Sequence, residues 1–329
     1  MIGGHAKIVT GAAASHHRLS ADMNPIFSTN NQQPGKTGST WMWAVCTRAI
    51  FTRAIFTRAV CILGLASGIA LPGGWAFGQG PKPEPEPAPP KWANVIGQIV
   101  VEGQLPDIPA EKVGSHKDRP ICLINGEVPS DDQLVVDADG GLRDVFVILT
   151  PADSESTIPV HPSYDEATSA TLQLDNQNCR FVPHAMAVMT GQTLLLKNSD
   201  SVGHNCKIVS INNEHNINLP AGGKAELKLE RPDRVPANVS CDIHPWMDAV
   251  ILAKDHPYVS LTLADGTFEM KNVPAGKWKL QFWHQRFRYL RKLEVTSKKV
   301  DRRGRIEVNF EAGKTLELGK MKLPTSAIK

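Results

Sequence analysis

Three side chains within seven residues carry the most specific chemistry in this sequence. In Cys241-Asp242-Ile243-His244-Pro245-Trp246-Met247 a thiol, an imidazole and a thioether stand at the spacing Cys-x-x-His-x-x-Met. Soft sulfur donors together with imidazole suit copper, and a plane of two His and one Cys with a weak, long axial Met is the arrangement of electron-transfer copper sites. The stretch supplies only one imidazole, so a second must come from elsewhere in the chain. His204 is the candidate, in the polar turn Asn198-Ser199-Asp200-Ser201-Val202-Gly203-His204-Asn205 that follows the apolar run Thr193-Leu194-Leu195-Leu196.

Those residues resemble the cupredoxins, whose first His ligand lies in an Asn-Asp-x-x-x-His-Asn-like turn and whose other three ligands share one loop near the end of the domain. The short Cys-x-x-His-Pro-x-Met loop, followed by Ala249-Val250-Ile251-Leu252, is most similar to the amicyanin and plastocyanin branch, and the likeness runs from about Leu172 to Lys254. The resemblance implies a type 1 (blue) site in which His204, Cys241, His244 and axial Met247 hold one copper ion for electron transfer. It also implies that Asn205 ties the two ligand loops, and that His244 reaches the surface inside an apolar patch made by Pro245 and Trp246. Two other readings stay open: a metal-free cell-surface binding or scaffold sandwich, and a copper storage or delivery protein with a more open site.

Composition narrows the alternatives. A chain of 329 residues with 41% hydrophobic and 21% charged content has material for two or three domains, each able to bury a core. The net charge of +3 is too small to imply nucleic acid. No Ser-His-Asp order, phosphate loop, carboxylate pair on one element or second copper cluster stands in the sequence, so an enzyme is not expected. Charge is uneven, however: residues 277–329 hold fifteen Lys or Arg against five Asp or Glu. That surplus fits the steering of an acidic redox partner, or simply a solvated sheet face.

The N-terminal quarter reads as export machinery. Residues 1–40 are rich in Gly, Ala, Ser, Asn and Gln without sustained period and read as a disordered leader. Within residues 41–78, Arg48, Arg53 and Arg58 precede the apolar run Ala59 to Leu71, and Ala76-Phe77-Gly78 offers small residues where a signal peptidase needs them. A secretory signal cleaved before Gln79 is expected, with an uncleaved membrane anchor as the competing reading, and either places the body in the periplasm or at the cell surface. Residues 79–91 carry Pro81-Lys82-Pro83-Glu84-Pro85-Glu86-Pro87, an extended polyproline spacer.

The body reads as all-β, with short β-branched runs cut by Gly, Pro and Asp and no helix of convincing length. Val95 to Val101, Gln133 to Val136 and Val145 to Leu149 suggest an N-terminal β module over 92–160. A Greek-key cupredoxin sandwich is expected over 161–255. From His256 the order strand, Ala264-Asp265-Gly266 turn, strand, Pro274-Ala275-Gly276 turn, strand resembles the carboxypeptidase-regulatory, transthyretin-like sandwiches over 256–329, modules that usually act as accessory or binding domains. Four cysteines follow the export segment, and they allow three pairings. If Cys241 ligates copper, the expected bridge joins Cys122 to Cys179 and leaves Cys206 as a buried thiol. His184 is read as a packing or supporting residue beside the site, and His215, His256 and His284 as weaker candidates still.

Overall fold

Three apolar runs in the body, Val145 to Leu149, Ala185 to Met189 and Ala249 to Ala253, lack the polar alternation of a strand with one wet face. A computed structural model shows why; it describes residues 91–105, 114–127, 132–153 and 157–327. The leader, the export segment and the proline spacer lie outside the described residues, Lys91 excepted. Two strands lead the body, β1 (Trp92–Glu102) and β2 (Phe146–Pro151). A block follows as β3 (Thr171–Asn176), β4 (Phe181–Val182), β5 (Ala185–Met189), β6 (Thr193–Asn198), β7 (His204–Val209), β8 (Glu214–Leu219), β9 (Lys224–Lys228), β10 (Ala237–Ser240) and β11 (Asp248–Lys254). The chain closes with β12 (Val259–Leu261), β13 (Thr267–Pro274), β14 (Gly276–His284), β15 (Arg288–Tyr289), β16 (Arg305–Phe310) and β17 (Thr315–Pro324).

The all-β expectation holds, and the block β3 to β11 is a sandwich of its own. Sheet β5-β11-β10-β7-β8 packs on sheet β4-β3-β6-β9 around a core that includes Leu174, Phe181, Leu196, Ile208, Val239 and Ile251. β9 shows the alternation its sequence carries, with Leu227 inward and Lys224, Glu226 and Lys228 exposed.

The flanking strands correct the expected division of the chain. β1 lies between β13, antiparallel, and β17, parallel, while β2 lies between β12 and β14. Val95, Ile99 and Leu149 share one core with Phe268, Phe282 and Met321. The segments 92–160 and 256–329 are therefore halves of one split sandwich, with the β3 to β11 sandwich inserted between them. The N-terminal half is not viable alone, because β1 and β2 would each leave both edges unpaired and an apolar face exposed.

The uninterrupted apolar runs lie where the two sandwiches meet. Phe146 and Ile148 of β2 pack with Ala185 and Ala187 of β5, Val250 and Leu252 of β11, and Trp283. Their neighbours Val147 and Leu149 turn into the split core, and Met186, Val188 and Ile251 into the inserted one. Successive residues serve two cores, so no position on these strands is free to be polar.

The Asp265-Gly266 turn forms as read. Gly266 has φ +77° and donates its N–H to Leu263 at 2.9 Å, and a Cβ there would stand 2.1 Å from the Ile99 carbonyl oxygen. Gln133 to Val136, by contrast, is not a strand; Val136 makes a single bridge to Leu142. The Asp137 carboxylate takes the N–H groups of Asp139 and Gly141 at 3.0 and 2.6 Å, and this turn ends the ladder before it can extend. The α-helix Arg119–Cys122 is four residues long, and no helix among the described residues is long and apolar enough to cross a membrane.

Candidate metal centre

β10 runs antiparallel between β7 and β11, and its last residue, Ser240, pairs with Lys207 on one side and Asp248 on the other. This register sets Cys241, the next residue, beside the His204-Asn205 start of β7. The loop that returns from β10 to β11 is closed by its own backbone: Met247 N–H donates to His244 O at 2.9 Å, and Cys241 N–H to Met247 O at 3.3 Å. Pro245, which has no N–H, occupies a position where none is needed.

Within this loop and turn, three donors converge. His204 Nδ1 and His244 Nδ1 are 2.9 Å apart, and Cys241 Sγ lies 3.9 Å from the first and 3.8 Å from the second. Imidazole and thiolate ligands sit about 2.0 and about 2.3 Å from a metal, so separations of this size suit three donors sharing one ion. Met247 is buried in the same core as Cys241, and no more than 2% of any of the four side chains is exposed. The donor set, two imidazoles, a thiol and a buried thioether, fits copper.

The electrostatics of the site favour a thiolate. Burial alone would raise the Cys241 pKa, but hydrogen bonds from His204 and His244, then the backbone N–H groups of Asn205 and His244, outweigh it and bring it to about 5. Burial would likewise lower His204, yet the Asp200 carboxylate and Cys241 prevail and raise it to about 9. Cys206 goes the other way: burial, reinforced by the charge of Cys241, pushes it up to about 12. It is a buried free thiol, as expected.

Asn205 does tie the two ligand segments. Its Oδ1 accepts the Asp242 N–H at 2.7 Å and lies 3.3 Å from Cys241 Sγ, while its Nδ2 donates to Asn216 Oδ1 at 2.8 Å and Asp242 Oδ2 at 3.1 Å.

The surroundings of His244 correct one expectation. Its ring was expected at the surface, but it is fully buried. A segment from the split sandwich, Gly114 to Glu127, lies over it: Asp118 Oδ2 is 3.1 Å from His244 Nε2, and the His116 ring stands edge-on at 5.0 Å. Trp246 closes the same side, 5.1 Å from His244 and 5.2 Å from His116. The Cys122–Cys179 disulfide, the expected pairing, anchors this segment, and its sulfurs lie within 4.8 Å of a His244 ring nitrogen. Asp242, Ile243 (41% exposed) and Pro245 are the exposed residues of the loop.

Asp118, His116 and Asp200 were not singled out from the sequence. Asp200 is 2.8 Å from His204 Nε2 and also accepts the N–H groups of Asn178 and Cys179 at 2.7 and 2.9 Å. Those two residues adopt φ of +51° and +54°, in the left-handed region that non-glycine residues avoid, and the carboxylate holds them there. A signal for Asp118 did exist: a bridge from Cys122 into the candidate copper domain must bring the residues one turn upstream close to it. His184 bonds Gln285 and is not among the converging donors; His256 and His284 are likewise elsewhere, each buried.

No protein-family model matches the chain, and no curated protein matches it. Among solved structures it is similar to a copper-containing nitrite reductase from Thermus scotoductus SA-01, with 15% identity over 32% of this chain and TM-score 0.24; the match spans 25% of the reductase. It is similar to a purple cupredoxin from Nitrosopumilus maritimus, with 22% identity over 25% of this chain and 99% of that one, TM-score 0.22. A Cu(I) amicyanin variant aligns with 17% identity over 30% of this chain and 97% of its own, TM-score 0.23.

Proposed function

We propose that this chain is an exported single-copper electron carrier, in which His204, Cys241 and His244 would hold the ion and Met247 would be a weak fourth donor. The observation that carries the reading is the convergence of two imidazole Nδ1 atoms and one sulfur within 3.9 Å. Copper, when bound, supplies one-electron exchange between Cu(II) and Cu(I). The residues around it do the rest: burial excludes water, and Asn205 keeps the two ligand segments in register so that little has to move when the charge changes. On this reading the protein carries electrons and turns over no substrate of its own.

Burial also separates the alternatives. Copper delivery needs ligands that a recipient can reach, whereas these four are buried, hydrogen-bonded or packed, and covered by a disulfide-anchored segment. A metal-free scaffold gives no reason for a sulfur and two imidazoles to face one another in a core. The expected partner is a redox protein, acidic where it meets the basic strands β14 to β17, docking by a small contact such as Ile243 and Pro245 offer. The split sandwich, whose C-terminal half resembles carboxypeptidase-regulatory modules, serves as an accessory frame, and residues 41–78 account for export to the periplasm or anchoring at the surface.

The test is a titration of the purified protein with Cu(II). An intense visible thiolate-to-copper band is expected, lost in Cys241→Ser and kept, with an altered potential, in Met247→Leu. A colourless wild type with free thiols would overturn the carrier reading.

A further inference from the structure

Both imidazoles at the centre are held from behind by a carboxylate. His204 Nε2 meets Asp200 Oδ2 at 2.8 Å and His244 Nε2 meets Asp118 Oδ2 at 3.1 Å, while both Nδ1 atoms turn toward Cys241. A carboxylate oxygen can only accept, so each Nε2 carries a proton; with copper bound, each ring would be neutral and would offer Nδ1 as a lone pair.

The two carboxylates come from different sandwiches. Asp200 lies in the turn between β6 and β7, and Asp118 in the segment between β1 and β2. They are registered through one residue, since Cys179 donates its N–H to Asp200 at 2.9 Å and is bonded to Cys122, one helical turn beyond Asp118. We propose that Asp118 and Asp200 are a matched pair of positioning residues, each fixing the tautomer and ring orientation of one histidine and together favouring the more highly charged Cu(II) state. This rests on the copper reading. The physical ground is that an acceptor on the outer N–H of a ligating histidine both aligns the ring and makes it a stronger donor. Two nearby negative charges in a buried site also stabilise the divalent ion more than the monovalent one.

The geometry admits one competitor. His116, Asp118 and His244 Nε2 lie within 4.8 Å of one another and are themselves a set that could hold a second ion. His244 Nε2 would then carry no proton.

Asp118→Asn in the full chain tests the proposal, because asparagine keeps the volume and removes the charge. Asp118 is partly exposed, so the variant should melt like the wild type without metal; Asp118→Ala provides a second variant that removes the acceptor altogether. Cu(II) affinity should fall about 10- to 100-fold, with Cu(I) affinity changed less. Each tenfold loss of Cu(II) over Cu(I) raises the potential by about 59 mV for one electron. In the diamagnetic Cu(I) form, ¹⁵N NMR should show a protected His244 Nε2–H in the wild type that exchanges faster in both variants. Unchanged potential and unchanged exchange, in variants that still bind copper and turn blue, would overturn the positioning role and leave the carrier reading intact. A stoichiometry of two ions, reduced to one by Asp118→Asn, would overturn it in favour of the bridged site. A wild type that binds no copper would sink both readings.

Discussion

Cys122 and Cys179, 57 residues apart, are joined by a disulfide that holds a segment of the split sandwich against the centre of the inserted one. The bond lies where the chain crosses from one sandwich to the other, so it closes the loop that contains β2 and β3.

Removing it should be costly. Loop-closure entropy for a loop of this length gives about 4 kcal/mol, so a Cys122→Ala/Cys179→Ala variant should unfold at markedly lower urea concentration, with a steeper slope because its unfolded chain is less compact. Its Gly114 to Glu127 segment should also exchange amide hydrogens faster. Equal midpoints in reduced variant and wild type would show that packing alone holds the segment.

Asn205 should be more sensitive than its size suggests. Asn205→Leu leaves the Asp242 N–H without its acceptor in a partly buried place, at a cost of about 1–3 kcal/mol. The loosened loop should slow electron self-exchange of the copper form. Thermal melts and NMR line broadening in mixed Cu(I)/Cu(II) samples measure the two effects separately, and an unchanged exchange rate would deny Asn205 its bracing role.

Acid should destabilise the fold through histidines outside the converging donors. Burial, with the nearby charge of His184, brings His284 down to about 3, and burial with Lys254 brings His256 down to about 4. In the unfolded chain both titrate near about 6.5. Between those values the unfolded state binds more protons, so stability is complete above about pH 6.5 and is lost as pH falls. Urea midpoints should drop from pH 7 to pH 5, and His284→Gln should show a shallower drop than the wild type. Identical slopes would mean that His284 is protonated in the folded protein.

Electron transfer to an acidic acceptor should slow as salt rises, since exposed charges are screened beyond about 8 Å at physiological ionic strength. Deleting everything after Lys254 would not test this, because β12 to β17 complete the split sandwich. Reversing Lys299, Arg302 and Arg303, all exposed, should lower the rate and flatten its salt dependence in stopped-flow measurements. A rate that ignores the three reversals would leave the basic face as a solvated surface.

Much of the centre was legible because it is local. Cys241, His244 and Met247 need only a seven-residue loop to hold their spacing, and His204 begins a strand next to the one that ends before Cys241. The all-β class was equally open to reading, since alternation in β9 and the Asp265-Gly266 turn follow from side-chain period and backbone freedom. The unbroken apolar runs of β2, β5 and β11 marked burial on both faces without saying what lay on each.

Tertiary structure decided which strands meet and what covers His244. A period of two says that β1 has an inward face, but not that its partners are β13 and β17, more than 160 residues away. Asp118 reaches His244 across 126 residues of chain, a contact set by how one sandwich is inserted into another. Local pattern constrains the backbone and the face each residue presents. Proximity between distant segments depends on the packing of whole sheets, and that is why His244 Nε2 found a carboxylate that the sequence alone did not reveal.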